Sequence, residues 1–288
     1  MNSFKTISLL GDPNKVKIRL DGVEWNVLIV DKSILFSAIT RVLLNIENLF
    51  FYASSRESTY SLEETREYIQ KRIKTQGYIF DDVASILHFL GWLPSSDIDA
   101  SSTVFQGDIG ELLMCELIDQ LNISHTLIAK ISLKTGPYNS IHGNDNSFYD
   151  YEKNILYFGE AKFYSNMNEG LADALDSLYD HSKNDYELDF IFNKTSSFLA
   201  DNGEIRSEIV EKFESRSKEE FELGFIMFVM FDNVYEKREI EDKLRMFIKS
   251  HESQINAISN MHIVLLPVLD KDELLNFIID YLEEHYEQ

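Results

Sequence analysis

Asp145-Asn146-Ser147-Phe148-Tyr149-Asp150-Tyr151-Glu152-Lys153-Asn154-Ile155-Leu156-Tyr157-Phe158-Gly159-Glu160-Ala161-Lys162-Phe163 is the stretch whose reading decides the fold. Two runs rich in aromatic and branched residues flank a polar Glu152-Lys153 pair, which predicts an antiparallel hairpin with strands over 145–151 and 154–163. If the chain turns at Glu152-Lys153, opposed residues have numbers that sum to 305. That register sets Asp145 against Glu160, with Cβ atoms about 4.5–5.5 Å apart, and Asp150 against Ile155 beside the turn. A strand also places Glu160 and Lys162 on one face and turns Ala161 to the other. The acid-x-Lys triplet recurs at Glu241-Asp242-Lys243, but there the pattern is helical, and residues two apart point in different directions. The strand copy is therefore the candidate site.

Two carboxylates at cross-strand distance repel unless a positive charge lies between them, and such oxygen donors suit Mg2+ or Mn2+ rather than zinc. Lys162, one strand step beyond Glu160, can reach a metal-bound water or a phosphate oxygen. A hard cation, a positioned water and a cationic side chain are what phosphodiester hydrolysis requires. The plainer reading is a surface hairpin with an ordinary salt bridge.

Outward from the hairpin, the pattern predicts a helix over 107–121, a strand over 125–134 and an amphipathic helix over 167–181. Further on it predicts a helix near 204–216, an apolar strand from Gly224 to Phe231, a charged helix over 236–254, a strand from His262 to Val268 and a helix from Asp270 to His285. Strands alternating with helices after an early hairpin argue for an α/β mixed sheet flanked by helices. At the N-terminus, Lys15–Leu20, Asp21-Gly22 and Glu24–Val30 read as a β-hairpin. Helices follow at about 32–52, 61–75 (with Ser61 and Glu64 as a capping box) and 80–90. The Ser- and Asp-rich stretch from Pro94 to Thr103 is the linker candidate, the alternative being a surface loop within one large domain. As a linker it divides the chain into a small α+β domain over 1–96, for scaffolding or docking, and a second domain over 97–288.

The 288 residues carry 27 Lys+Arg against 49 Asp+Glu, a net charge of −22. Residues 1–96 hold 11 basic and 11 acidic side chains, so 16 basic and 38 acidic fall in 97–288. A surface that negative repels phosphate, which disfavours passive nucleic-acid coating or an anionic-membrane surface, but not an enzyme that meets phosphate through a metal. The single cysteine, Cys115, excludes disulfides and a Cys-based zinc site, and its helical surroundings make it a core thiol. With no basic-then-apolar leader and no apolar run of membrane-span length, the expectation is a cytoplasmic protein with no membrane contact.

Gly107-Asp108-Ile109-Gly110-Glu111-Leu112-Leu113, His142-Gly143-Asn144-Asp145 and Phe158-Gly159-Glu160-Ala161-Lys162-Phe163-Tyr164 together resemble the PD-(D/E)xK nucleases, the restriction-endonuclease-like superfamily. More narrowly they resemble HamA, the nuclease subunit of Hachiman anti-phage defence, whose partner HamB is a superfamily 2 helicase. Asn144 stands where the superfamily's name has Pro, as in many relatives. The resemblance implies a restriction-endonuclease-like fold and a metal-dependent DNA endonuclease held inactive with its helicase until triggered. Asp145 and Glu160 would bind the metal with the Ala161 carbonyl. Lys162 would orient or activate the attacking water, and Glu111 would give an outer-shell or second-metal contact. Glu111 has its own plain reading, since a Glu in the first helical turn suits the helix dipole.

Other features read blandly: His142 as a loop histidine, Tyr164, Asn166 and Asn168 as a strand-to-helix turn, and Asp173, Asp176 and Asp180 as a solvated helix face. Lys130, Lys134 and Lys153 lie on or near the expected sheet and would offset some negative potential. The competing functional readings are a non-catalytic subunit that docks on and restrains a helicase, and a metal-dependent hydrolase of RNA or nucleotides.

Overall fold

The strands form where branched and aromatic residues cluster or alternate with polar ones, and their burial sorts them into central and outer positions. The computed structural model describes residues 15–20, 23–29, 35, 39, 103–121, 123–129, 146–182, 188–189, 192–193, 196, 208–232, 236–258, 260–268 and 270–286. In chain order these give β1 (Lys15–Leu20), β2 (Val23–Ile29), α1 (Thr103–Gln120), β3 (His125–Ala129), β4 (Asn146–Asp150), β5 (Ile155–Phe163), α2 (Met167–Ser182) and α3 (Glu208–Glu214). A 3-10 turn at Lys218–Glu220 leads into β6 (Glu222–Asp232), α4 (Lys237–Ser250), α5 (Glu252–Ala257), β7 (Met261–Val268) and α6 (Lys271–Tyr286).

One mixed sheet runs β1-β2-β7-β6-β5-β4-β3. The pairs β5–β6, β6–β7 and β2–β7 are parallel, and β1–β2, β3–β4 and β4–β5 are antiparallel. β6 is buried without a break from Gly224 to Phe231, as a central strand covered on both faces must be. This bears out the α/β mixed sheet, and the N-terminal hairpin closes with Leu20 opposite Val23 as expected. That hairpin then joins the same sheet through β2 beside β7.

Helices cover both faces at close range. A Cβ on Gly110 in α1 would lie 3.2 Å from Met230 Cε and 3.8 Å from Ala161 Cβ, so α1 packs on the face that Ala161 presents. A Cβ on Gly170 in α2 would come within 2.8 Å of Val229 Cγ1. Val229 is the register partner of Lys162, so α2 packs on the opposite face, the one carrying Glu160 and Lys162. Helix α1 is buried along its whole course from Asp108 to Ile118, Cys115 included.

Several boundaries move. The helix expected from residue 107 begins at Thr103, and the one expected over 236–254 breaks at His251 into α4 and α5. His251 closes α4 by donating its backbone N–H to Phe247 O at 3.0 Å. Leu35 and Ile39 are helical and buried, four residues apart on one face, consistent with the first N-terminal helix. The other two N-terminal helices, the division at Ser96, Lys130, Lys134, and His142 to Asp145 lie outside the described residues.

Candidate active site on strand β5

Asn146 pairs with Gly159 and Asp150 with Ile155, so the register that sums to 305 holds along the whole of β4, against Ile155 to Gly159 of β5. The turn occupies Tyr151 to Asn154, one residue wider on each side than the Glu152-Lys153 centre, because Asn154 takes the left-handed conformation (φ 56°) that asparagine tolerates. Asp150 has a structural task there. Its Oδ1 accepts the backbone N–H groups of Glu152 and Lys153, each at 3.2 Å, and its Oδ2 meets Lys153 Nζ at 3.0 Å. That confirms Asp150 as the turn's carboxylate and places Lys153 with it.

At the far end of β5, Gly159 is required for packing. A Cβ there would stand 2.6 Å from Phe148 Cε2 and 3.1 Å from Met114 Sδ. The absent side chain lets α1 lie on the strand just before the acid-x-Lys triplet. Glu160 follows with 6% of its surface exposed, and the ammonium of Lys162 lies 2.9 Å from Glu160 Oε1. These two sequence-predicted residues are therefore brought together on one face, with Ala161 turned to α1 on the other.

The same ammonium touches a third group that the sequence reading assigned to solvent. Asp173 Oδ2, on α2, lies 3.0 Å from Lys162 Nζ and accepts the Tyr164 hydroxyl at 3.0 Å. The carboxylate is 47% exposed, so the helix face is solvated as expected, but Asp173 is also committed to the site. Asp176, the next acid on that face, accepts Gln254 Nε2 at 3.0 Å. Asn166 serves the strand-to-helix turn as expected, accepting the Asn168 N–H at 2.9 Å.

Burial alone would lower the pKa of the Lys162 ammonium, but the Glu160 carboxylate, and then Asp173, outweigh it and hold the group well above the ordinary lysine range. Burial likewise opposes the charge on Asp173, yet the hydrogen bond and charge of Lys162, with the Tyr164 hydroxyl, keep its carboxyl below the usual carboxylate range. The site thus presents a firmly protonated lysine between the carboxyl groups of Glu160 and Asp173.

Glu111 sits in the ninth position of α1, with 8% of its surface exposed. Because the helix starts at Thr103, its first turn contains no acid, and the helix-dipole reading of Glu111 does not apply. The buried Asn146 Nδ2 donates to the Glu111 backbone carbonyl at 3.0 Å, tying α1 to the start of β4. Glu111 thus belongs to the helix on the Ala161 face, across the sheet from the Lys162–Asp173 pair. Among the described residues no group of three or more His, Cys, Asp or Glu side chains is arranged to hold a metal ion. Asp145 is not among them.

The sequence model of the HamA family matches residues 27–282. The chain belongs to the HamA family. Membership supports a role in anti-phage defence, and the match takes in β5, its hairpin partner and both covering helices. No curated protein and no solved structure matches this HamA chain significantly. Among the described residues no helix is long and apolar enough to cross a membrane.

Proposed function

We propose that this HamA chain is a metal-dependent DNA endonuclease with a restriction-endonuclease-like core, acting as the effector of a cytoplasmic anti-phage system. One observation carries the reading: a buried glutamate and a protonated lysine share one strand face, just past the hairpin's last described pair, Asn146 with Gly159. Asn146 turns to the α1 face, as its bond to Glu111 shows. Asp145 lies outside the described residues, and the alternation expected from the sequence would set it with Glu160.

The donors fit a hard cation. Glu160 is a carboxylate held at low exposure, and Asp145 and the Ala161 carbonyl would add oxygen ligands suited to Mg2+ or Mn2+. A bound divalent cation supplies Lewis acidity and lowers the pKa of its water. The chain's own residues would do the rest: Glu160 and Asp145 would hold the cation, and Lys162 would donate hydrogen bonds to a water or phosphate oxygen and offset negative charge that builds on the phosphoryl oxygens. Glu111, carried by the helix on the opposite face of the sheet, would act at most from the outer shell. A HamB-like superfamily 2 helicase would hold the nuclease inactive and supply the basic surface that a chain of net charge −22 lacks.

The test is DNA cleavage with Mg2+ or Mn2+, by the chain alone and with its activated partner, comparing wild type with Lys162→Ala and Glu160→Ala. Cleavage by the wild type and its loss in both variants supports the reading. A defence phenotype untouched by these substitutions would instead favour a non-catalytic docking subunit.

A further inference from the structure

The Lys162 ammonium bridges two carboxylates, and a cation bound by Glu160 competes with it for the charge of that carboxylate, and for Oε1 where it uses that oxygen. A lysine is a point charge on a flexible four-carbon stem, so an ammonium displaced from its partner swings toward water unless something else holds it. Asp173 is built to do so. Its Oδ2 receives both Lys162 Nζ and the Tyr164 hydroxyl, and Tyr164 comes from the same chain segment, two residues after Lys162.

The helix that carries Asp173 is set at close range by packing. Gly170 lies over Val229, the strand neighbour of Lys162, where any Cβ would fall 2.8 Å from Val229 Cγ1 and 3.5 Å from Tyr164 Cβ. Asp173, three residues on, projects from the same helix face. The start of α2 is fixed by Asn166, which accepts the Asn168 N–H through its side chain and the Gly170 N–H, at 3.1 Å, through its carbonyl. The carboxylate is thus placed by the backbone rather than by chance contact.

We propose that Asp173 is a positioning residue for Lys162, keeping the ammonium over the site when a divalent cation takes the Glu160 carboxylate. The inference rests on the metal-dependent reading above. Without Asp173, Glu160 is the partner left to Lys162 in this triad, so an incoming cation must displace the ammonium outright and binds more weakly. Because the effect runs through Lys162, it disappears when Lys162 is absent.

The test is Mn2+ binding to the full chain by isothermal titration calorimetry, counting only the component that Glu160→Ala abolishes. Asp173→Asn, which keeps the shape, is expected to weaken that component roughly tenfold, the scale of an outer-shell substitution. The same change in a Lys162→Met background is expected to shift it by less than about twofold, as a coupled pair requires. Tyr164→Phe, which removes one oxygen atom, is expected to weaken binding in the same direction by a smaller factor, and it carries the test if Asp173→Asn does not melt cooperatively.

Wild-type affinity in Asp173→Asn would overturn the proposal. So would an equal tenfold loss in the Lys162→Met background, which would make Asp173 a direct electrostatic contributor. A wild type with no Glu160-dependent Mn2+ component would sink this inference and the metal reading together. One that binds Mn2+ at Glu160 but leaves DNA intact would sink the nuclease reading alone, and the binding cycle would still decide the role of Asp173.

Discussion

Gly159→Ala adds one methyl group where the sheet, α1 and the hairpin meet, and its effect follows from two opposing contributions. Replacing a strand glycine by alanine restricts the unfolded chain and by itself stabilises by about 0.4–1 kcal/mol. Against that, the new Cβ would stand 2.6 Å from Phe148 Cε2, and 3.1 Å from both Cε and Sδ of Met114. The Met114 side chain is flexible, but Phe148 is fully buried, so moving its ring disturbs a close-packed core. Overpacking of this kind costs about 1–3 kcal/mol. The net expectation is a loss of about 1–2 kcal/mol, which for a chain this size lowers Tm by roughly 3–6 °C.

Thermal and urea unfolding measure that loss, with Gly159→Ala/Phe148→Leu as the control. Trimming the ring at the clash should recover part of the loss even though Phe148→Leu alone destabilises, a coupling that distant sites do not show. An unchanged or raised Tm in Gly159→Ala would refute the claim that α1 is seated against this glycine. Cleavage should fall with it, because any strand shift at 159 reaches Glu160 directly.

Three further outcomes follow from the same geometry. Asn146→Ala removes the buried bond to the Glu111 carbonyl and should cost about 1 kcal/mol or somewhat more in urea unfolding, lowering cleavage as α1 loosens at β4. Asp150→Ala should cost roughly 1–2 kcal/mol by releasing the turn's N–H groups and Lys153, yet leave cleavage intact, since Asp150 sits at the opposite end of the hairpin from Glu160. Fluorescence anisotropy of the isolated chain without metal should show weak DNA binding with a shallow salt slope, because 38 acids face 16 bases in residues 97–288; tight, salt-sensitive binding would contradict it.

The hairpin was legible because its signals are local. A period-two pattern and a polar centre set the register, and the register sorted Asp150 from the site without any tertiary knowledge. The same alternation placed Glu160 and Lys162 together and Ala161 opposite. Asp173 was not legible because its role depends on how closely α2 approaches the sheet. That distance is set by Gly170 against Val229, a contact between residues 59 positions apart in sequence. Spacing three and seven residues from other acids on the helix suggested only solvent. A glycine three residues before an acid, on the helix that follows an acid-x-Lys strand, is the signal that would have raised it.

Glu111 shows the opposite error. Its plain reading leaned on a helix start that falls four residues earlier, at Thr103, so the dipole cannot account for it. The joining of the N-terminal hairpin to β7 was equally invisible, because parallel pairing between residues more than 230 apart leaves no local pattern.

The central claim is that Glu160 and Lys162 form a hydrolytic site, and one comparison reaches it directly: cleavage of DNA by wild type and by Lys162→Ala, with Mg2+ or Mn2+, alone and with the activated helicase partner. The account predicts metal-dependent cutting by the wild type and a loss of about a hundredfold or more in the variant, the usual scale for removing a group that stabilises developing charge. Equal cutting by the two proteins, or intact DNA with the wild type under every condition, would contradict it.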